Sequence, residues 1–417
     1  MTPKILRDKL VHIFPEFLIL VVLYILFRNF FSGFLVYPDF FQIFPAANAT
    51  ADLSSYLSAW NFGYMGTINI LASPDYAIFS ILSFVGVFGT SLEVLTLFAF
   101  LLTAVFFIYR LIGMVTSNSW VKLLSSLIYM LSPTLFIEIF NGSAALTFYA
   151  LLPAYLYFGL NAIVFLRLKH TFLFGIVLAF GIFFNSFLII YSLPIFFVLI
   201  VVSIIRNKHL FTILKSLEYT VLILAVAVVL NIPYFYSYLF NSSLLQTLSA
   251  ISGSEGATMV YLYSWASPLI AITTLGGGLF PRYSIFYSFP LQMMLLVLPA
   301  ASVLSFFSSA RNKQVKILRF TSGMLIIVSF FLIELGHFGY LEILFNRLPL
   351  LFADNYPDSF TIILTLGYSV LIPSFLIIEN RNSEPINKNH FYKNRATFIR
   401  AVFFIVIVVL LLIPANT

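Results

Sequence analysis

TFLFGIVLAFGIFFNSFLIIYSLPIFFVLIVVSII, residues 171–205, contains no charged side chain, yet basic residues bracket it on both sides: Arg167 and Lys169 before, Arg206 and Lys208 after. Cytoplasmic loops of membrane proteins collect Lys and Arg, so both ends of this stretch belong on one face of a bilayer. It must therefore cross twice, with Asn185-Ser186 as the hairpin at its tip.

The same pattern extends outward through the chain. Of its 417 residues, 61% are hydrophobic and 9% charged, Phe alone contributes 50, and the mean hydropathy is +1.04. Soluble domains hold only ~45–50% apolar residues. The expected fold is an all-α polytopic membrane protein with about eleven transmembrane helices in a single domain, 1–417. Spans fall near 14–31, 90–113, 122–139, 146–166, 171–187, 188–205, 211–231, 284–308, 319–336, 359–379 and 398–414. Lys4, Arg7 and Lys9 precede the first segment and no small-residue cleavage site follows it, so it reads as a retained span rather than a signal peptide.

With the N-terminus inside, 19 of the 22 Lys and Arg residues fall on the cytoplasmic side, leaving Arg28, Arg282 and Arg347 outside. That alternation accounts for most of the net charge of +7 without invoking an acidic partner, and no nucleic-acid partner is expected. Ala77 to Val115 is too long for one upright helix at ~1.5 Å per residue. Two full spans there would invert every later basic loop. The reading is an interfacial or re-entrant segment over 77–88, a break at Gly86 and Gly89, and then one span. The localisation this implies is multi-pass in the plasma membrane, N-terminus cytoplasmic and C-terminus extracytoplasmic.

The chain has no Cys, which excludes disulfides, thiolate metal sites and Cys nucleophiles. Acidic residues gather instead on the outer side, and the first outer loop, 36–76, holds the candidate site: Tyr37-Pro38-Asp39-Phe40 follows the first span directly. A carboxylate where a helix leaves the bilayer is costly to bury. Asp39 reads either as a helix cap or as a general base whose basicity rises in a partly desolvated pocket. Further along the loop, Leu53, Tyr56, Leu57 and Trp60 recur at helical spacing, which predicts a short amphipathic interfacial helix capped by Asp52. Asp75, in Ser73-Pro74-Asp75, reads as structural at the start of the next helix. Glu138, beside Asn141-Gly142-Ser143, reads either as a ligand for a sugar hydroxyl or as a satisfied helix-end carboxylate. No His pair has zinc-ligand spacing, so no metal site is assigned. A divalent cation held by carboxylates near Asp39 is the one cofactor conceivable, and the spacing does not support it.

A first span, a large outer loop with an early acid, interfacial helices and about eleven spans together resemble the GT-C glycosyltransferases. Within that superfamily the chain is most similar to the arabinofuranosyltransferase-like and YfhO-like membrane proteins of prokaryotes. The resemblance covers the whole chain in topology and rests on short motifs: Tyr37-Pro38-Asp39-Phe40, Trp60-Asn61-Phe62-Gly63 and Asn346-Arg347-Leu348-Pro349. It implies transfer of a sugar from a polyprenyl-phosphate donor to an extracytoplasmic glycan, lipid or protein acceptor. Asp39 would take the proton of the acceptor hydroxyl. Arg282 and Arg347, outer cations in loops, would hold the departing phosphate, while Glu138 and Trp60 would contact substrate. Relatives often carry a basic residue before the tenth span, where this chain has Ala353-Asp354-Asn355-Tyr356-Pro357-Asp358. Some also carry a large soluble domain after the final span, where this sequence stops at Pro414-Ala415-Asn416-Thr417; it reads as a minimal catalytic module, a fragment or a degenerate subunit, and a separate soluble subunit is one partner the resemblance allows. A second reading, a transporter or flippase of lipid-linked glycans, draws on Asn185 and on Pro133, Pro153, Pro194 and Pro373 within spans. A non-catalytic membrane subunit is the third.

Overall fold

Runs that are apolar on every face form helices only where their outer sides meet hydrocarbon or other protein. The computed structural model describes residues 17–19, 21, 24, 60–61, 67–68, 90–132, 134–135, 143–184, 188–206, 209–232, 297–308, 310, 312–337 and 359–377, and over these the chain is overwhelmingly helical. The helices are α1 (Thr90–Gly113), α2 (Ser119–Met130), α3 (Ser143–Gly159), α4 (Leu168–Phe184), α5 (Leu188–Arg206), α6 (Leu210–Leu230), α7 (Val297–Phe307), α8 (Lys313–His337) and α9 (Ser359–Ser374). A π-helical turn, Leu160–Val164, continues α3. Residues 171–205 do form two helices, α4 and α5; the hairpin residues Asn185 and Ser186 lie outside the described residues.

Among the described residues, three segments are long and apolar enough to cross a membrane: Leu146–Val164, Leu210–Leu230 and Lys313–Ile333. They differ in position. The first is 89% buried within the protein and the second only 28%, so α3 lies at the centre and α6 at the rim. Helix α9 is central too, buried from Phe360 to Ser374, and packs on α8, α2 and α7; α3 packs on α1 and α4, α4 on α6, and α5 on α8. Close approach is made by small residues, as is usual where helix association gains little from hydrophobic burial. A Cβ at Gly367 of α9 would come within 2.6 Å of Ile326 on α8, and one at Gly175 of α4 within 2.7 Å of Val226 on α6. The exterior, by contrast, carries large apolar side chains: Phe172, Ile176 and Phe180 along α4, and Phe211, Leu214 and Val221 along α6. Such stripes suit a hydrocarbon surrounding and not water.

Pro153 lies inside α3 and Pro373 inside α9, Pro133 follows α2 in the sequence, and each lacks the N–H that would bond the carbonyl four residues earlier. Those carbonyls belong to Tyr129, Tyr149 and Ser369, which Pro133, Pro153 and Pro373 cannot serve; the Tyr129 carbonyl also accepts from the Ser132 N–H at 3.4 Å. Each is taken by a hydroxyl from a neighbouring helix. Tyr149 donates to the Tyr129 carbonyl, Tyr129 donates to the Tyr149 carbonyl at 2.6 Å, and Ser125 donates to the Ser369 carbonyl at 2.5 Å. The two tyrosine rings stack at 4.2 Å, so α2 and α3 exchange hydroxyls across the fault that each proline makes in the other. In an apolar surrounding an unpaired carbonyl is costly, and hydroxyls from adjacent helices are the available remedy.

Two expectations need correction. The span expected as one helix over 122–139 is interrupted: α2 ends at Met130, with Leu131 as its C-cap and Ser132 outside it, and residues 134–135 are helical again, the rest of the span lying outside the described residues. Proline disfavours helical backbone in the residue before it, and Pro133 acts here on Ser132. The interfacial helix expected through Leu53, Tyr56, Leu57 and Trp60 does not reach its last member. Trp60–Asn61 is extended and pairs antiparallel with Thr67–Ile68, in the register Trp60 with Ile68. The linking sequence carries Gly63 and Gly66, and Trp, Thr and Ile favour strands, so local β preference prevails over helical spacing. Residues 53–59 themselves lie outside the described residues.

Candidate functional site

Asp39, Glu138, Arg282 and Arg347 lie outside the described residues, as do Asp52, Asp75 and the segment 346–349. Trp60 is described through its backbone pairing alone. What the structure does bring together is the opposite feature of the sequence, the basic helix ends.

Contacts between helix termini collect these cations at one end of the bundle. Arg206, closing α5, donates to the Val164 carbonyl at 2.5 Å and lies 4.6 Å from the Phe165 ring centre. Arg167 donates to Asn161 Oδ1 at 3.0 Å, and Asn161 in turn donates to the Tyr157 carbonyl and approaches Met114 Sδ in the turn after α1. Ser216 of α6 bonds the Ile163 carbonyl and shares a 2.6 Å contact with Ser203 of α5. The ends of α1, α3 and α5 and the starts of α4 and α6 are thereby joined.

The second half of the chain delivers Arg319 to the same end. Ser125 of α2 meets Ser369 of α9, while Thr134, further along, meets Thr365, so these segments run antiparallel. The C-terminus of α9 therefore lies beside the start of α2. There Arg319, buried in α8, donates from Nε and Nη2 to Ser374 Oγ and carbonyl at 3.0 and 2.6 Å, and from Nη1 to the Ser308 carbonyl at 2.8 Å. One guanidinium thus serves the carbonyl ends of both α7 and α9, where the helix dipoles are negative.

A cavity of about 790 Å³ opens at this end between the first helical segment, α1, α2 and α3. Arg110 and Lys122 supply its cations. Lys122 Nζ sits 4.7 Å from the Tyr109 ring centre and Arg110 Cζ 5.2 Å from that of Phe106. Lys122 passes close to Gly113, where a Cβ would lie in ordinary contact, 3.7 Å from Lys122 Cε and Nζ. Ile19, Leu102, Val105 and Phe106 form the apolar part of the wall. Among the described residues neither cation has a carboxylate partner. In the sequence Arg110 and Lys122 count only as topological markers. The readable signal is the short Gly113-containing turn that returns the chain to the same level between them.

Among the described residues no group of three or more His, Asp or Glu is placed to hold a metal ion. Comparison with protein-family models, curated proteins and solved structures returned no match.

Proposed function

We propose that the chain is a multi-pass membrane glycosyltransferase of the GT-C kind, oriented with its basic end in the cytoplasm and its first loop outside the plasma membrane. It takes a sugar from a polyprenyl-phosphate donor and passes it to an extracytoplasmic glycan, lipid or protein. What supports this reading is polarity: the described cations collect at one end of the bundle, while the sequence pattern assigns Asp39 and most of the acids to extracytoplasmic loops. There Asp39 accepts the proton of the acceptor hydroxyl, the hydroxyl oxygen attacks the anomeric carbon, and the polyprenyl phosphate leaves toward Arg282 or Arg347. Glu138 and Trp60 contact the sugars.

The test is Asp39→Asn. Loss of a positioned base lowers rate by ~10²–10⁴-fold, whereas loss of a helix cap costs only ~0.5–2 kcal/mol of stability. Sugar transfer from a total polyprenyl-phosphate donor fraction to membrane acceptors is measured at matched expression. The Asn variant is expected to insert, melt near the parent and transfer almost no sugar, while Asp52→Asn and Asp75→Asn retain most activity. Full activity in Asp39→Asn rejects the assignment.

One observation favours a transporter or flippase as the second reading. Helix α2 is discontinuous at Leu131-Ser132 in the buried middle of the bundle, a feature typical of transport sites. Uptake or flipping of a lipid-linked glycan by the reconstituted protein, with no sugar transfer, would select it.

A further inference from the structure

The cavity between α1 and α2 has a polarity gradient. Its charged rim is formed by Arg110 and Lys122, joined there by Gly113 and Tyr109. Leu102 lies two helical turns before Arg110 on α1, about 12 Å along the axis at ~1.5 Å per residue. Between them Val105 and Phe106 continue the apolar wall, with Ile19 of the first helical segment on the same cavity. Phe106 is 52% exposed, so this wall opens sideways onto the surface that faces hydrocarbon. A small soluble anion needs the rim alone. An amphiphile with an anionic head and an acyl chain matches both parts, and 790 Å³ exceeds what a bare phosphate fills.

The aromatic contacts of the cations support this. Tyr109 and Phe106 orient the two side chains without neutralising them, because a ring face attracts a cation yet carries no net charge. Arg167, Arg206 and Arg319 differ, since each is engaged by side-chain or backbone oxygens of the protein.

We propose that this cavity is a binding site for an anionic phospholipid of the leaflet at the basic end. The phosphate is held between Arg110 and Lys122, and an acyl chain lies along Leu102, Val105 and Phe106. The site stands apart from the sugar-transfer reading and does not depend on it.

The experiment uses the full chain purified in detergent and re-exposed to defined lipid. Native mass spectrometry counts retained phosphatidylglycerol against phosphatidylcholine, with soluble glycerol 3-phosphate as competitor. The expected result is selective retention of phosphatidylglycerol by the parent, unaffected by millimolar glycerol 3-phosphate. Arg110→Gln/Lys122→Gln is expected to lower retention roughly thirty-fold, the scale of two basic side chains at an anionic membrane surface. Lys169→Gln/Lys215→Gln removes the same charge outside the cavity and is expected to leave retention near the parent's. Equal losses in both double variants would make the effect one of general surface charge and overturn the site. Displacement by glycerol 3-phosphate would overturn the lipid assignment in favour of a free anion. Should the cavity variant fail to fold, photoactivatable phosphatidylglycerol on the parent decides. Cross-links within 102–114 or at Lys122 support the site, and cross-links confined to other segments reject it.

Discussion

Tyr129, Tyr149 and Ser125 show how single hydroxyls make proline tolerable inside a buried bundle. Each donates to the carbonyl that a proline four residues later cannot serve. Removing one hydroxyl strands a carbonyl where no water reaches it, at about 1 kcal/mol net. Tyr129→Phe keeps the stacked ring but removes the donor to the Tyr149 carbonyl, and it is expected to destabilise the protein by about that amount. Pro153→Ala restores the backbone N–H, so in that background the same tyrosine substitution should cost measurably less. Unfolding free energies in mixed micelles for the two single variants and the double variant give the coupling; a value near zero would refute the exchange. The sequence displays these prolines but not their remedy, because the compensating hydroxyl lies 20 residues away for Tyr129 and Tyr149 and 244 away for Ser125 and Ser369. Asp39 is the converse case, a residue singled out by its place in the chain alone.

Among the elements, α7, α8 and α9 depend on one side chain. Arg319 reaches the carbonyl ends of α7 and α9 with three donors, and no residue with fewer than three forked N–H groups can repeat that geometry. Arg319→Gln is expected to cost about 2–4 kcal/mol, combining lost charge-assisted hydrogen bonds with stranded carbonyls. Arg319→Lys should recover only part of it. Thermal unfolding in detergent checks both, and wild-type stability in Arg319→Gln would show that backbone rearrangement satisfies the two helix ends. Helix α2 teaches a different lesson. Its apolar run reads as one span over 122–139, yet the helix stops at Met130 because a proline outweighs uniform hydropathy. Trp60 shows the same limit, since spacing at i, i+3, i+4 and i+7 describes a face and does not create a helix where strand-forming residues and glycines offer a hairpin.

For the molecule as a whole, orientation is the testable quantity. The cations gathered at one end of the bundle predict that end to be cytoplasmic. The chain lacks native Cys, so single cysteines report directly. A Cys replacing Ser242 is expected to react with an impermeant maleimide from outside intact cells, and one replacing Ser383 only after permeabilisation; reversed labelling would invert the orientation and with it the side proposed for Asp39. Much of this level is legible in the sequence. Uncharged apolar runs must become helices in an apolar surrounding because no solvent can serve their backbone there, and basic residues at their ends state which ends lie together. Residues 171–205 needed nothing more to be read as a pair of helices. Which helices are central is a different matter. Hydropathy by itself does not mark α6 as rim or α3 as core, because both are predominantly apolar and long enough to span a membrane. The tertiary structure decides this through Gly175, Gly367 and the hydroxyls that meet proline-freed carbonyls. It likewise decides that Arg110 and Lys122 share a cavity while Arg206 and Arg319 are engaged by backbone carbonyls. Hydropathy measures the preference of a segment for hydrocarbon; it carries no term for the shape or the unpaired groups of the neighbour, and those select the partner.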